Sequence, residues 1–158
     1  MDKIRNCLWF DGQAEEAARF YTSLFPDSRI DRVTRSPADY PAGKTGDVLM
    51  VDFTLAGRSY LGLNAGPGAT FNEAISLSID CADQTDVDRY WEALSAHPER
   101  EQCGWVKDRF GIFWQITPEI LPRLLADPDR ARARRVMEAM MTMKKIDIAT
   151  LEAAAAAS

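Results

Sequence analysis

The sequence predicts an α+β fold: two βαβββ modules whose strands form an incomplete barrel or cup, followed by C-terminal helices. Three observations carry this expectation. A short alternating apolar segment followed by a helix-spaced one begins near residue 4 and begins again near residue 74. The matched positions Leu8/Leu77, Phe10/Ile79, Asp11/Asp80, Ala18/Val87 and Tyr21/Tyr90 all share an offset of 69 residues, the mark of an internal repeat. The Gly- and Pro-containing stretch AGPGATF separates the two halves, and after Pro118 strand alternation gives way to helical spacing. The expected organisation is a paired-module domain over residues 1–118, with modules at 1–66 and 72–118, and a helical extension over 119–158.

Residues 4–10 alternate, with Leu8 and Phe10 on one face of a strand and Cys7 and Trp9 on the other. Asp11 stands where an N-cap belongs, and Ala14, Ala17, Ala18, Tyr21 and Leu24 recur at helical spacing until Pro26 ends the helix. DSRIDRVTRS reads as a strand and YPAGKTGD as an exposed loop. VLMVDFTLAGRSYLGLN reads as two strands around an Ala56-Gly57 hairpin turn, with Val51, Phe53 and Leu55 on one face and Met50, Asp52 and Thr54 on the other. In the second half Ile75, Leu77 and Ile79 alternate, and Asp83 can cap a helix whose buried stripe is Val87, Tyr90, Trp91 and Leu94. QCGWVKDRF and GIFWQITP return as strands joined at DRFG. In the tail, Leu121, Leu124 and Leu125 mark a short helix stopped near Asp127-Pro128, and Val136, Met140 and Met143 form the apolar stripe of another. Arg130, Arg132, Arg134 and Arg135 read as a solvated face, and the final EAAAAAS as a fraying end.

Hydrophobic residues at 46% and charged residues at 27% of 158 describe an ordinary globular chain. A net charge of −5 argues against nucleic-acid binding, which needs a basic surface to release counterions. No stretch is apolar for long enough to span a bilayer, and MDKIRNCLWF lacks the pattern of a signal peptide, so a cytoplasmic protein without membrane contact is expected. Cys7, Cys81 and Cys103 form no CxxC pair and read as reduced thiols. The single histidine, His97, leaves little material for a His-rich metal centre or a Ser-His-Asp arrangement.

CLWFDGQAEEAARFYTSLFPDSRI near the start and CGWVKDRFGIFWQITPE near the end of the modules resemble the glyoxalase/bleomycin-resistance/dioxygenase superfamily, also called the vicinal oxygen chelate fold. Within it the resemblance is to the PhnB-like proteins, a branch labelled 3-demethylubiquinone 3-methyltransferase-like. The tail RVMEAMMTMKKIDIATLE resembles that branch too, so the likeness covers residues 3–155. No Gly-rich loop follows a strand with an acidic residue downstream, so the sequence offers no Rossmann-type nucleoside site to support the methyltransferase label. In metal-using members the resemblance implies four ligands, mostly His and Glu, on the first and fourth strands of each half. Laid on that pattern, Arg5 or Cys7, Gly62, Ala74 and Gln115 take the four positions. Gly62 and Ala74 cannot coordinate, and a divalent ion needs three or four converging donors, so neither metal nor other cofactor is expected.

Strand parity turns Leu8, Phe10, Val51, Phe53, Ile75, Leu77, Trp114 and Ile116 toward the helices. It turns Cys7, Trp9, Asp52, Asn64, Ser76, Ser78 and Gln115 toward the cavity, with Trp105 near it. Aromatic walls with a few polar groups describe a small-molecule pocket, and these eight residues are the expected ligand-binding set. Asp52 is the one carboxylate placed inside. If desolvated it would have a raised pKa and serve as an acid or base; the competing reading is a hydrogen-bonded structural Asp. The expected function is metal-independent small-molecule binding, of a sequestering or resistance type. The alternative is a lyase, isomerase or dioxygenase-type enzyme with an atypical or recruited metal site. A homodimer is expected, because one cup leaves edge strands exposed, family members close by two-fold pairing, and the Val136, Met140, Met143 stripe adds apolar surface.

Overall fold

The computed structural model describes residues 3–157, in two compact units, 1–70 and 71–158. The first contains β1 (Asn6–Phe10), α1 (Ala14–Leu24), β2 (Arg29–Arg35), β3 (Val48–Leu55) and β4 (Arg58–Asn64). Its sheet runs β1-β4-β3-β2, with β1 parallel to β4 and the other neighbours antiparallel. One face is covered by α1, whose buried Ala14, Ala17, Ala18 and Tyr21 pack where Leu8, Phe10, Val51 and Phe53 are also buried. Small helix residues permit a close approach. A Cβ placed on Gly62 would stand 3.2 Å from the Ala14 Cβ, which sets Gly62 on the helix side of the sheet. Ala56 (φ 45°) and Gly57 (φ 78°) form the expected hairpin turn, whose positive φ values match strand twist.

Helix α1 is capped differently from the expectation at Asp11. Its N-cap position is Gln13, which makes no side-chain cap bond. The Ala14 N–H instead donates to Oδ1 of Asn64 at 2.9 Å, while Asn64 Nδ2 donates to the Val48 carbonyl at 2.9 Å. A residue at the end of β4 thus satisfies an orphan amide that local sequence leaves open.

The second unit begins with β5 (Leu77–Cys81), α2 (Gln84–Leu94), β6 (Trp105–Lys107) and β7 (Phe113–Pro118), in sheet order β5-β7-β6. The parallel β5/β7 pair repeats the β1/β4 pair, and β6 repeats β3. Asp83 caps α2 by accepting from the Asp86 N–H at 3.0 Å, and Val87, Tyr90 and Leu94 are buried. Within the predicted class two details differ. Ile75 lies outside the strand and is 79% exposed, rather than facing a helix. At the positions 69 residues beyond β2 the chain forms a 3-10 turn, Pro98–Arg100, followed by Cys103 and Gly104 at φ 50° and 86°. Pro98 has no N–H for a ladder and the positive φ values break an extended run, so the second module has three strands where four were expected.

Three further helices, α3 (Ile120–Leu125), α4 (Arg130–Met141) and α5 (Ile148–Ala156), complete this unit. Leu121, Val136, Ile146, Leu151 and Ala155 form a buried cluster, with Met140 and Met143 packed against it. The stripe expected to supply dimer surface is therefore covered within the chain. The alanine-rich end does not fray: α5 is capped by Asp147, buries Leu151 and Ala155, and continues to Ala156. Arg135 departs from the solvated-face reading as well. Its Nε donates to the Ala154 carbonyl at 3.1 Å, closing the end of α5 where carbonyls lack helical partners. The tail is tied to the module by backbone and side chain. Cys103 N–H donates to Met143 O at 2.9 Å, Gly104 N–H to Lys144 O at 2.7 Å, and Gln84 exchanges bonds with Ile146 O and Ile148 N at 3.1 and 2.9 Å. Among the described residues no helix is long and apolar enough to cross a membrane.

Candidate functional site

Opposite α1, the first sheet presents a polar face. Its central row runs Cys7, Leu61, Asp52, Arg32 across β1, β4, β3 and β2. Asp52 is only 6% exposed, and both its oxygens are engaged: Oδ1 by Arg5 Nη1 and Oδ2 by Arg32 Nε at 2.9 Å. In the neighbouring row Thr54 Oγ1 donates to Asp31 Oδ2 at 2.7 Å, and Arg29 Nε pairs with Asp31 Oδ1 at 2.8 Å. These groups, with Ser59, line a cleft of about 380 Å³. Burial pushes the Asp52 carboxyl upward, but the Arg5 and Arg32 guanidinium groups outweigh it and hold the pKa below the ordinary carboxylate value. Asp52 is thus a fixed anion, and the raised pKa on which its acid–base candidacy depended is absent.

The bulge in β2 makes this cleft. Ile30 pairs with Phe53 and Val33 with Val51, so the two helix-facing residues of β2 are three apart, not two. The extra residue, Asp31, shifts Arg32 onto the face of Asp52. Simple alternation misses Arg29, Asp31 and Arg32; the Ile30/Val33 spacing was the available signal.

Of the other first-module candidates, Cys7 is exposed, and burial raises its thiol pKa despite the lowering influence of Arg5, so it is no thiolate. Trp9 is 38% exposed and donates from Nε1 to Gly66 O at 2.7 Å. Asn64 is a correction: β4 parity sets it on the helix side with Gly62, where it caps α1, because Leu61 and Leu63 take the opposite face. In the second unit Trp105, Gln115 and Ser78 form one row across β6, β7 and β5, and Gln115 Nε2 donates to Ser76 Oγ at 2.9 Å. These four are brought together on the face opposite α2.

Strand parity does not mark Asp108, in the DRFG hairpin, as a functional candidate. It is fully buried; Oδ1 accepts from the Phe110 and Ile112 N–H groups at 2.9 and 3.0 Å, and Oδ2 from Trp114 Nε1 at 2.7 Å. It organises the turn that enters the Gln115 strand. Cys81, also buried, has its thiol pushed up to about 12 by burial and then by Asp86 and Asp80, which leaves it inert.

The positions at which metal-using relatives carry ligands do not fit a metal here. Arg5 is a cation paired to Asp52, Gly62 faces α1, Ala74 lies in a turn before β5, and Gln115 is bonded to Ser76. Among the described residues no three His, Cys, Asp or Glu side chains cluster to hold an ion.

The repeated parallel-strand modules and the hairpin give an α+β architecture that is shared with a PhnB protein. The chain belongs to the 3-demethylubiquinone-9 3-methyltransferase family, whose profile matches residues 2–117. A PhnB protein from Bacillus cereus of solved structure is 33% identical, covering 74% of this chain and 99% of that one with a TM-score of 0.62. A Pseudomonas aeruginosa protein at 18% identity, covering 75% of this chain and 98% of its own with a TM-score of 0.58, shares the fold. No functionally curated protein matches the sequence.

Proposed function

We propose that this protein binds a small molecule without a metal, using the sheet face that carries Arg5, Asp52 and Arg32. The observation that supports it is the Arg5–Asp52–Arg32 bridge: Arg5, at a position where the family pattern would set a metal ligand, is a cation that shares one consumed carboxylate with Arg32. Guanidinium groups repel a divalent ion and occupy both carboxylate oxygens, while the cleft has the size of a small-molecule site. Cys7 and Trp9 on the same face extend it, and the Ser76, Ser78, Trp105 and Gln115 group is a second polar surface for ligand contact. The family's methyltransferase name draws no support from the sequence, in which no Gly-rich loop of the Rossmann type follows a strand.

Metal analysis of the purified protein, with thermal shift against Zn²⁺, Ni²⁺, Mn²⁺ and Fe²⁺, tests the reading. Less than stoichiometric metal and no ion-dependent rise in melting temperature are expected. One tightly held equivalent would overturn it in favour of an enzyme with a recruited metal. Of the stripe, self-association has only the part-exposed flanks, Met140 and Met143, to draw on, since Val136 is buried, and sedimentation at micromolar concentration tests for it.

A further inference from the structure

We infer that the first-sheet cleft recognises an oxyanion, the carboxylate or phosphoryl group of a small molecule, through Arg5, Arg29 and Arg32; this rests on the proposal that this face is the ligand site. Charge is the first argument. Three guanidinium groups and two carboxylates line the cleft, an excess of one positive charge in a chain whose net charge is −5. Hydrogen-bonding capacity is the second. Both oxygens of Asp52 are engaged by arginines, and those of Asp31 by Arg29 and Thr54, so the cleft has little acceptor capacity left for a cation. Each of the three guanidinium groups has five N–H donors and gives one nitrogen to these carboxylates, so the donors left over outnumber the acceptor sites left on the two carboxylates.

Geometry is the third argument. Isolated surface arginines are usually solvated and mobile, but Arg5 and Arg32 are fixed by opposite oxygens of one carboxylate whose side chain is 9% exposed. That anchoring lowers the entropy lost when a ligand is gripped. It also sets the Arg5 charge, 26% exposed, beside a buried carboxylate, where its attraction for an anion exceeds that in bulk water. Planar forks of this kind suit the two oxygens of a carboxylate and the three of a phosphonate.

The test is an NMR titration of the full chain, reading arginine Nε–H resonances at constant ionic strength, with benzoate, phenylphosphonate and the neutral benzamide as probes. Saturable binding of at least one anion and none of benzamide is expected, and the tighter of the two anions identifies the headgroup. Arg5→Gln and Arg32→Gln should each weaken anion binding roughly tenfold, while Arg19→Gln, an equal charge loss on α1, leaves it unchanged. Failure of both anions to saturate, or arginine variants that bind them like the wild type, would overturn the inference. Benzamide binding at the cleft as tightly as benzoate would overturn it too, while leaving the metal-independent ligand site standing.

Discussion

Replacing Asp108 by Asn probes the hairpin that leads into the Gln115 strand. The substitution is nearly isosteric. Oδ1 can still accept from the Phe110 and Ile112 N–H groups, but the position of Oδ2 becomes an N–H₂ group facing the Trp114 indole N–H, donor against donor. One charge-assisted bond is lost and a donor on a residue only 2% exposed is left without this acceptor. Bonds to charged groups contribute roughly 1.5–3 kcal/mol and an unsatisfied buried donor costs a comparable amount, so a loss of about 2–4 kcal/mol is expected. Asp108→Ala strips the bonds to Phe110, Ile112 and Trp114 together and should cost more. Urea unfolding followed by far-UV circular dichroism gives the change, provided the m-value is preserved. Combining Asp108→Asn with Trp114→Phe closes a double-mutant cycle, because removing the indole N–H removes the conflict. A change below about 0.5 kcal/mol, the range of an ordinary surface substitution, would refute the reasoning, as would strict additivity of the cycle.

Asp52 gives a pH signature. Its folded pKa lies below the unfolded value, so the stabilisation from the two arginines is complete above an unfolded pKa of about 3.9 and is lost as pH falls through the folded one. The stability gap between wild type and Asp52→Asn should therefore hold steady from neutral pH and shrink only below about 4; a gap constant to pH 3 would contradict it. Asn64→Ala removes the cap of α1 and the bond to Val48 O, and should cost about 1–3 kcal/mol with faster hydrogen exchange at the Ala14 amide. Leu151→Ala opens a cavity in the C-terminal cluster and should lower stability by about 2–5 kcal/mol in thermal or urea unfolding; no effect would mean that α5 is not part of the cooperative unit.

Where the residues themselves dictate geometry, the sequence was legible. Leu8/Phe10 and Val51/Phe53 alternation, the Ala56-Gly57 turn and the Asp83 cap each depend on neighbours a few positions away, and each appears as read. Interactions between distant segments were not legible. Asn64 looked like one more cavity-facing polar residue because nothing in YLGLN reveals that an amide fifty positions earlier needs an acceptor. Asp52 was found by parity, yet its two partners were not: Arg32 reaches it through a bulge that alternation does not register, and Arg5 precedes the first strand. The missing fourth strand of the second module had a local cue in Pro98. The 69-residue offset holds at five pairs, yet the residues that it aligns with β2 differ and include Pro98.

The bonds from Cys103, Gly104 and Gln84 to residues 143–148 also bear on how the chain acquires its structure during synthesis. Every strand pairing of the first sheet lies within residues 6–64, so that sheet has all its partners once residue 64 has left the ribosome. The second unit must wait. Its carbonyl partners at Met143 and Lys144, with Ile146 just beyond them, are translated some forty positions after Cys103 and Gly104, and until they arrive those two amides and the apolar side of α3 stay open to water or to other nascent chains. Folding is then vectorial, and an early stop in the tail would strand a finished first half beside an unfinished second.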